Sequence, residues 1–321
     1  MNTHLIIDNL TNPALLFFML GILSVQLKSD LEIPAGTSKF ISLYLLFSIG
    51  FKGGQELAHS QFSAEIVGAL VFGVCIAAIV PLYAFFVLKR FFSIDNAGAI
   101  AAAYGSISAV TFVTAVAFLE VQGHQFSGYM VAVMALMEAP AIIIGVLLLR
   151  LFGATDGAQP NQLRKVIAHS VTNGSVLLIV GSLVVGLLAS EKQAMGIKPF
   201  TTDIFKGFLA IFLLDMGIVS GRKLADFFKT GFTATFFAIL FPLINGCVIA
   251  LSSKMVTDSI GNRFVFAILA ASASYIAVPA AMKIAAPNAN PGIYLPMALA
   301  VTFPFNITIG MPLYYMVIQW Y

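Results

Sequence analysis

The sequence predicts an all-α polytopic membrane protein. Its ten transmembrane helices form two inverted five-helix repeats, and the fourth and ninth helices are broken and cross each other. Three observations carry this reading. Of the 321 residues, 60% are hydrophobic and only 10% charged, with a mean hydropathy of +0.97, whereas soluble domains carry about 25% charged residues. Apolar runs recur from end to end at about 20 residues each, the length a helix needs to cross a bilayer; barrel strands would alternate polarity over about ten. Finally, motifs in the first half return in the same order in the second.

Apolar length and the polar breaks between runs place the spans. No Lys or Arg precedes Lys28, so the basic region of a signal peptide is missing and the first run, 13–27, reads as a retained span. Then come 39–57, 64–88, 97–119 and 129–151. A linker at 152–173, containing GATDGAQPNQ, reads as a short cytoplasmic loop. The second set runs 175–189, 204–224, 232–252, 263–284 and 293–320, giving repeats of 1–151 and 174–321. The larger share of the basic residues, among them Lys28, Lys39, Lys89, Arg90, Arg150, Arg164 and Lys165, falls on one set of loops and span ends. By the positive-inside rule both termini then lie outside.

The repeat rests on three matches. FSIGFKGGQEL and LDMGIVSGRKL pair Gly50 with Gly217, Gly54 with Gly221 and Leu57 with Leu224 at one constant offset. GSISAV and ASYIAV pair Ser106 with Ser274, Ala109 with Ala277 and Val110 with Val278. MALMEAP and MALAVTFP bring Pro140 onto Pro304. A unit with an odd number of crossings must sit in opposite orientations in its two copies, which is the inverted-repeat plan of secondary transporters.

Two spans look broken. The fourth carries Gly105, Ser106 and Ser108 at its centre, and the ninth carries Ser272 and Ser274 followed by Pro279. Pro279 lacks a donor and leaves the carbonyl four residues back unpaired. Where a helix stops in the membrane, its bare N–H groups need a partner. The N-terminus of a half-helix carries about half a positive charge, so N–H groups and hydroxyls can hold a small anion without Lys or Arg. Neither break contains a basic residue.

Glu138 stands near the middle of the fifth span, where an acid costs about 2.5–3.5 kcal/mol on insertion scales. It is expected to face a cavity or a cation. Thr302 occupies the corresponding place in the tenth span and Asn306 follows one turn later. Carboxylate, hydroxyl and amide oxygens are ligands that Na⁺ accepts. Asp215 is a second candidate for coupling, and Lys52 is expected to snorkel to the interface. Cys75 and Cys247 sit in apolar runs as small hydrophobes. The four His residues have no metal-ligand spacing, no Ser/His/Asp or Cys/His constellation can be argued, and the net charge of +3 is too small and too scattered for a nucleic-acid partner. An enzyme is not expected.

AAAYGSISAVTFVTA, MALMEAPAI, ASASYIAVPAAM and GFKGG together resemble the SbtA-type sodium-dependent bicarbonate transporters, over essentially the whole chain. The resemblance implies a core domain (spans three to five and eight to ten) moving against a gate domain (spans one, two, six and seven). It also implies a homotrimer, a bacterial inner-membrane location, and HCO₃⁻ held with Na⁺ where the broken helices cross. The bicarbonate residues implied are Gly105, Ser106, Ile107, Ser108, Ala273, Ser274 and Tyr275, and the sodium ligands lie among Ser108, Thr111, Glu138, Ser272, Thr302 and Asn306. A small nucleotide-sensing PII-like protein docking from the cytoplasm is a further implied partner, although the loop between the halves is short for the family. The expected function is Na⁺/HCO₃⁻ symport by alternating access. The alternatives are a sodium/proton antiporter, a sodium-coupled symporter of another small anion, and a membrane sensor that does not transport.

Overall fold

A computed structural model describes residues 9–60, 63–153, 168, 172–227 and 231–321. Most of the expected 152–173 linker therefore lies outside the described residues. Every regular segment among those described is helical: α1 (Pro13–Gln26), α2 (Ala35–His59), α3 (Ala64–Leu88), α4 (Ile94–Gly105), α5 (Ala109–Val121), α6 (Tyr129–Phe152), α7 (Gly174–Leu188), α8 (Glu191–Lys198), α9 (Phe205–Phe227), α10 (Phe232–Ser252), α11 (Ile260–Ala271) and α12 (Ala277–Ala285). The last helix, α13, runs over Pro291–Trp320 and widens into π-type turns at Met297–Thr302 and Asn306–Gly310.

Among the described residues six stretches are long and apolar enough to cross a membrane: α3, α4 with α5, α6, the run from α8 into α9, α10 with the turn after it, and α13. The other expected spans fall short for identifiable reasons. α1 and α7 have only 14 and 15 residues, α11 stops at the break, and α2 carries Lys39, Lys52 and Glu56. Between two expected spans lies α8, a short helix started by a capping box in which Ser190 and Gln193 satisfy each other's backbone.

Glycines set the closest helix approaches, as expected where small residues let backbones meet in lipid. α1 crosses α9 at Gly21 and Gly217, where a Cβ on Gly217 would stand 2.1 Å from the Phe18 carbonyl oxygen. α2 crosses α7 in the same manner, with a Cβ on Gly54 standing 2.0 Å from the Leu183 oxygen and one on Gly186 2.1 Å from that of Phe51. Gly54 and Gly217 thus each sit at a close crossing of two helices. The remaining helices pack around α4 and α5, with α3 against α4 and α6, α10 against α11 and α13, and α5 against α11.

Candidate functional site

Both expected breaks are present and touch. α4 ends at Gly105, Ser106 is extended (φ −87°, ψ 165°), and α5 starts at Ala109 behind Ser108, whose hydroxyl caps the Thr111 N–H at 3.2 Å. α11 ends at Ala271, Ser272 has nearly the same geometry as Ser106 (φ −84°, ψ 166°), and α12 starts at Ala277. The helix starts Ala109 and Ala277 are the residues that match in sequence, while the helix ends do not correspond. The second break is two residues longer, on its α11 side. Pro279 falls in the first turn of α12, where its missing N–H has no intrahelical partner to lose.

The breaks are stitched together by backbone and hydroxyl bonds. The Ser108 N–H donates to Ser272 Oγ at 2.9 Å, and the Ser274 N–H donates to the Ala103 carbonyl at 2.8 Å. A helix end inside a membrane leaves orphan carbonyls that the protein must satisfy. At α11 this is done by Ser272 Oγ donating to Leu269 O (2.9 Å), Asn306 Nδ2 to Ala271 O (2.7 Å) and Asn245 Nδ2 to Ala270 O (3.4 Å). The carbonyl ends are therefore closed by protein, whereas no side chain caps the N-terminus of α12.

That uncapped end opens on a cavity of about 20 Å³ lined by Ile107, Ser108, Ala109, Glu138, Ser175, Ser274, Tyr275, Ile276 and Ala277. Among the described residues no Lys or Arg lines it. Glu138 is 9% exposed, and among the described residues its carboxylate has no hydrogen-bond or ionic partner. The Tyr275 hydroxyl lies 3.7 Å from the sulfur of Met216 on α9.

Of the expected bicarbonate residues, the cavity collects Ile107, Ser108, Ser274 and Tyr275. Gly105 faces α3, where a Cβ would stand 2.5 Å from Pro81. Ser106 is fully buried with its hydroxyl 3.4 Å from the Glu138 carbonyl, and Ala273 is buried behind the lining. Of the expected sodium ligands, Ser108 and Glu138 line the cavity, while Ser272 and Thr111 stand just behind it in the bonds given above. Thr302 and Asn306 do not line it. Thr302 donates to Ala238 O at 2.7 Å and accepts from the Tyr104 hydroxyl at 2.6 Å. Asn306 Oδ1 lies 3.1 Å from the Tyr314 hydroxyl. Replacing Asn306 by Leu strands the buried Ala271 carbonyl, so a loss of about 1–3 kcal/mol in stability is expected, read as a lower thermal midpoint in detergent.

Sequence reasoning missed Ser175, the one lining residue from outside the breaks and α6. Its signal was faint: Asn173 precedes an apolar run and caps it by accepting from the Ser175 N–H at 2.9 Å. Ser175 and Ile276 also border an open groove of about 780 Å³ that reaches Lys39 at the start of α2. At the other end of α2, about 20 Å away along the helix, Lys52 lines a separate cavity of about 190 Å³ with Glu56, Glu120 and His124. Lys52 does more than snorkel: it stands 3.9 Å from Glu120, which Lys206 also approaches at 3.2 Å. These pairs bridge α5 to α2 and α9. Asp215, the other coupling candidate, accepts a hydrogen bond from Ser38 Oγ instead of lining the break cavity.

A profile of the Na⁺-dependent bicarbonate transporter superfamily matches residues 13–319. No curated protein matches the chain.

Proposed function

Since the chain belongs to the Na⁺-dependent bicarbonate transporter superfamily, we propose that it is a secondary active transporter that carries HCO₃⁻ into the cell with Na⁺ by alternating access. One observation carries the reading to these residues. Two half-helix N-termini and the hydroxyls of Ser108 and Ser274 meet at a cavity that, among the described residues, has no fixed cation and leaves the Glu138 carboxylate without a partner. Na⁺ at Glu138 offsets the cost of that buried charge and supplies the positive field the cavity lacks. The N–H groups of α5 and α12 and the two hydroxyls then hold the anion.

A cavity of about 20 Å³ is of the size that holds about one water molecule. Four heavy atoms and a sodium ion need it to widen, so loading is coupled to movement of the helices around it. In this reading α1, α2, α7 and α9 form the gate and the remaining long helices the core, as two inverted repeats of five crossings each. The glycine crossings of α1 with α9 and of α2 with α7 support the pairing of the halves. With both termini outside a bacterial inner membrane, the Lys39 groove faces inward, and the Lys52–Glu120–Lys206 pairs close the outer side. Each such half-exposed pair is worth only about 0–1 kcal/mol, a barrier small enough to open and close in every cycle. A homotrimer and a PII-like partner follow from the family alone.

The test is uptake of labelled bicarbonate into proteoliposomes with and without an inward Na⁺ gradient. Gradient-driven accumulation is expected; equal uptake in the two conditions would sink the symport. A pH dye in the same vesicles separates this from sodium/proton exchange, which would acidify or alkalinise the lumen without bicarbonate.

A further inference from the structure

Three helix N-termini converge on the break cavity, and the third does not belong to either break. α5 and α12 begin there at Ala109 and Ala277, and α7, a helix of 15 residues, begins at Gly174 with Ser175 in the lining. The Ser175 N–H is taken by Asn173, and among the described residues its hydroxyl has no partner. A helix start alone does not make a site. Here a second observation points to ligands: Glu138, nine-tenths buried and without a partner among the described residues, lines the same cavity from α6.

α7 is packed on α2 through Gly54 and Gly186, not on the helices that carry the breaks. In the gate-and-core reading proposed above, it meets the cavity from the gate side. Ser175 and Ile276 also stand where the cavity meets the Lys39 groove, so a small ion leaving by that route passes between them. We propose that Ser175 is a binding residue for the transported small oxyanion. Its hydroxyl donates to the anion while the breaks face α7, and releases it when they move away. This rests on the breaks being the bicarbonate site, and adds to that site a contact present in one conformation only.

The contact predicts a split in kinetics. A hydrogen bond to a charged ligand is lost in Ser175→Ala, so KM for bicarbonate rises about tenfold with kcat within about twofold, and Ser175→Thr, which keeps the hydroxyl, restores it. Labelling gives an independent readout. Cys75 and Cys247 are both free thiols, so Ser175→Cys is made in a Cys75→Ala, Cys247→Ala background and treated with a charged methanethiosulfonate. Bicarbonate with Na⁺ is expected to slow its modification at least about tenfold, the protection scaling with site occupancy, while chloride does not. Leu177→Cys, which is exposed and lines only the groove, is expected to react at the same rate throughout.

Wild-type uptake in the same vesicles separates the two claims. If it is sodium-dependent, yet Ser175→Ala keeps the wild-type KM and Ser175→Cys is not protected, the Ser175 contact is overturned and the break site stands. If wild-type uptake ignores Na⁺, the underlying reading fails. Should Ser175→Ala not fold, the Thr variant and the protection assay decide.

Discussion

Glu138→Gln is expected to raise the Na⁺ concentration for half-maximal bicarbonate uptake by at least about tenfold, the scale of a lost charged contact, while the protein folds as well as or better than the parent. The side chain is 9% exposed, lines the break cavity, and has no partner among the described residues. A buried charge in that position costs stability on its own, so its removal by a near-isosteric amide relieves the fold. What the amide cannot do is offset a cation's charge. The measurement is sodium-dependent uptake together with thermal unfolding of the purified variant. An unchanged sodium response would move the cation away from α6.

The second large effect concerns assembly of the helices. Gly54→Val and Gly217→Val each place a Cβ about where backbone already stands, 2.0 Å from the Leu183 oxygen and 2.1 Å from the Phe18 oxygen. A carbonyl in a helix cannot rotate aside as a side chain can, so α2 must separate from α7, and α9 from α1. Overpacking typically costs about 1–3 kcal/mol and sometimes more; with backbone as the obstacle, the upper end is expected. Size-exclusion profiles and melting curves of detergent extracts read the result. Gly181→Val is the control, since a Cβ there meets nothing within 4 Å. If all three variants melt alike, the glycine crossings do not set the stability.

Both breaks were legible because their causes are local. Gly105, Ser106 and Ser108 interrupt an apolar run, and Pro279 forces α12 to begin near Ala277. Glu138 was legible because an acid in a span is costly wherever it sits. The place of Thr302 and Asn306 was not. Counting one turn between them assumes α-helical phase, but α13 widens at Met297–Thr302 and again at Asn306–Gly310. Each wider turn changes which side of the helix later residues occupy. Asn306 then caps α11 and Thr302 joins Tyr104, contacts that depend on partners far away in sequence. Ser175 was illegible for another reason. A hydroxyl at the start of a span reads as part of a helix cap, and only the packing of α7 on α2 brings it to the breaks. The two-residue difference in break length was hidden as well, because the matching residues are the helix starts facing the cavity. The ends that need only be capped are free to differ.

The dimensions of the break cavity bear on leakage. A chain of waters across the crossing would let protons slip through uncoupled, and a wider bore would pass Na⁺ alone down its gradient. At about 20 Å³, the space between Ser108, Ser274 and Glu138 holds about one water, too few for a continuous file. In the proposed symport cycle, so narrow a space between the groove on the Lys39 side and the cavity on the Lys52 side would keep the sodium gradient from being dissipated in this conformation.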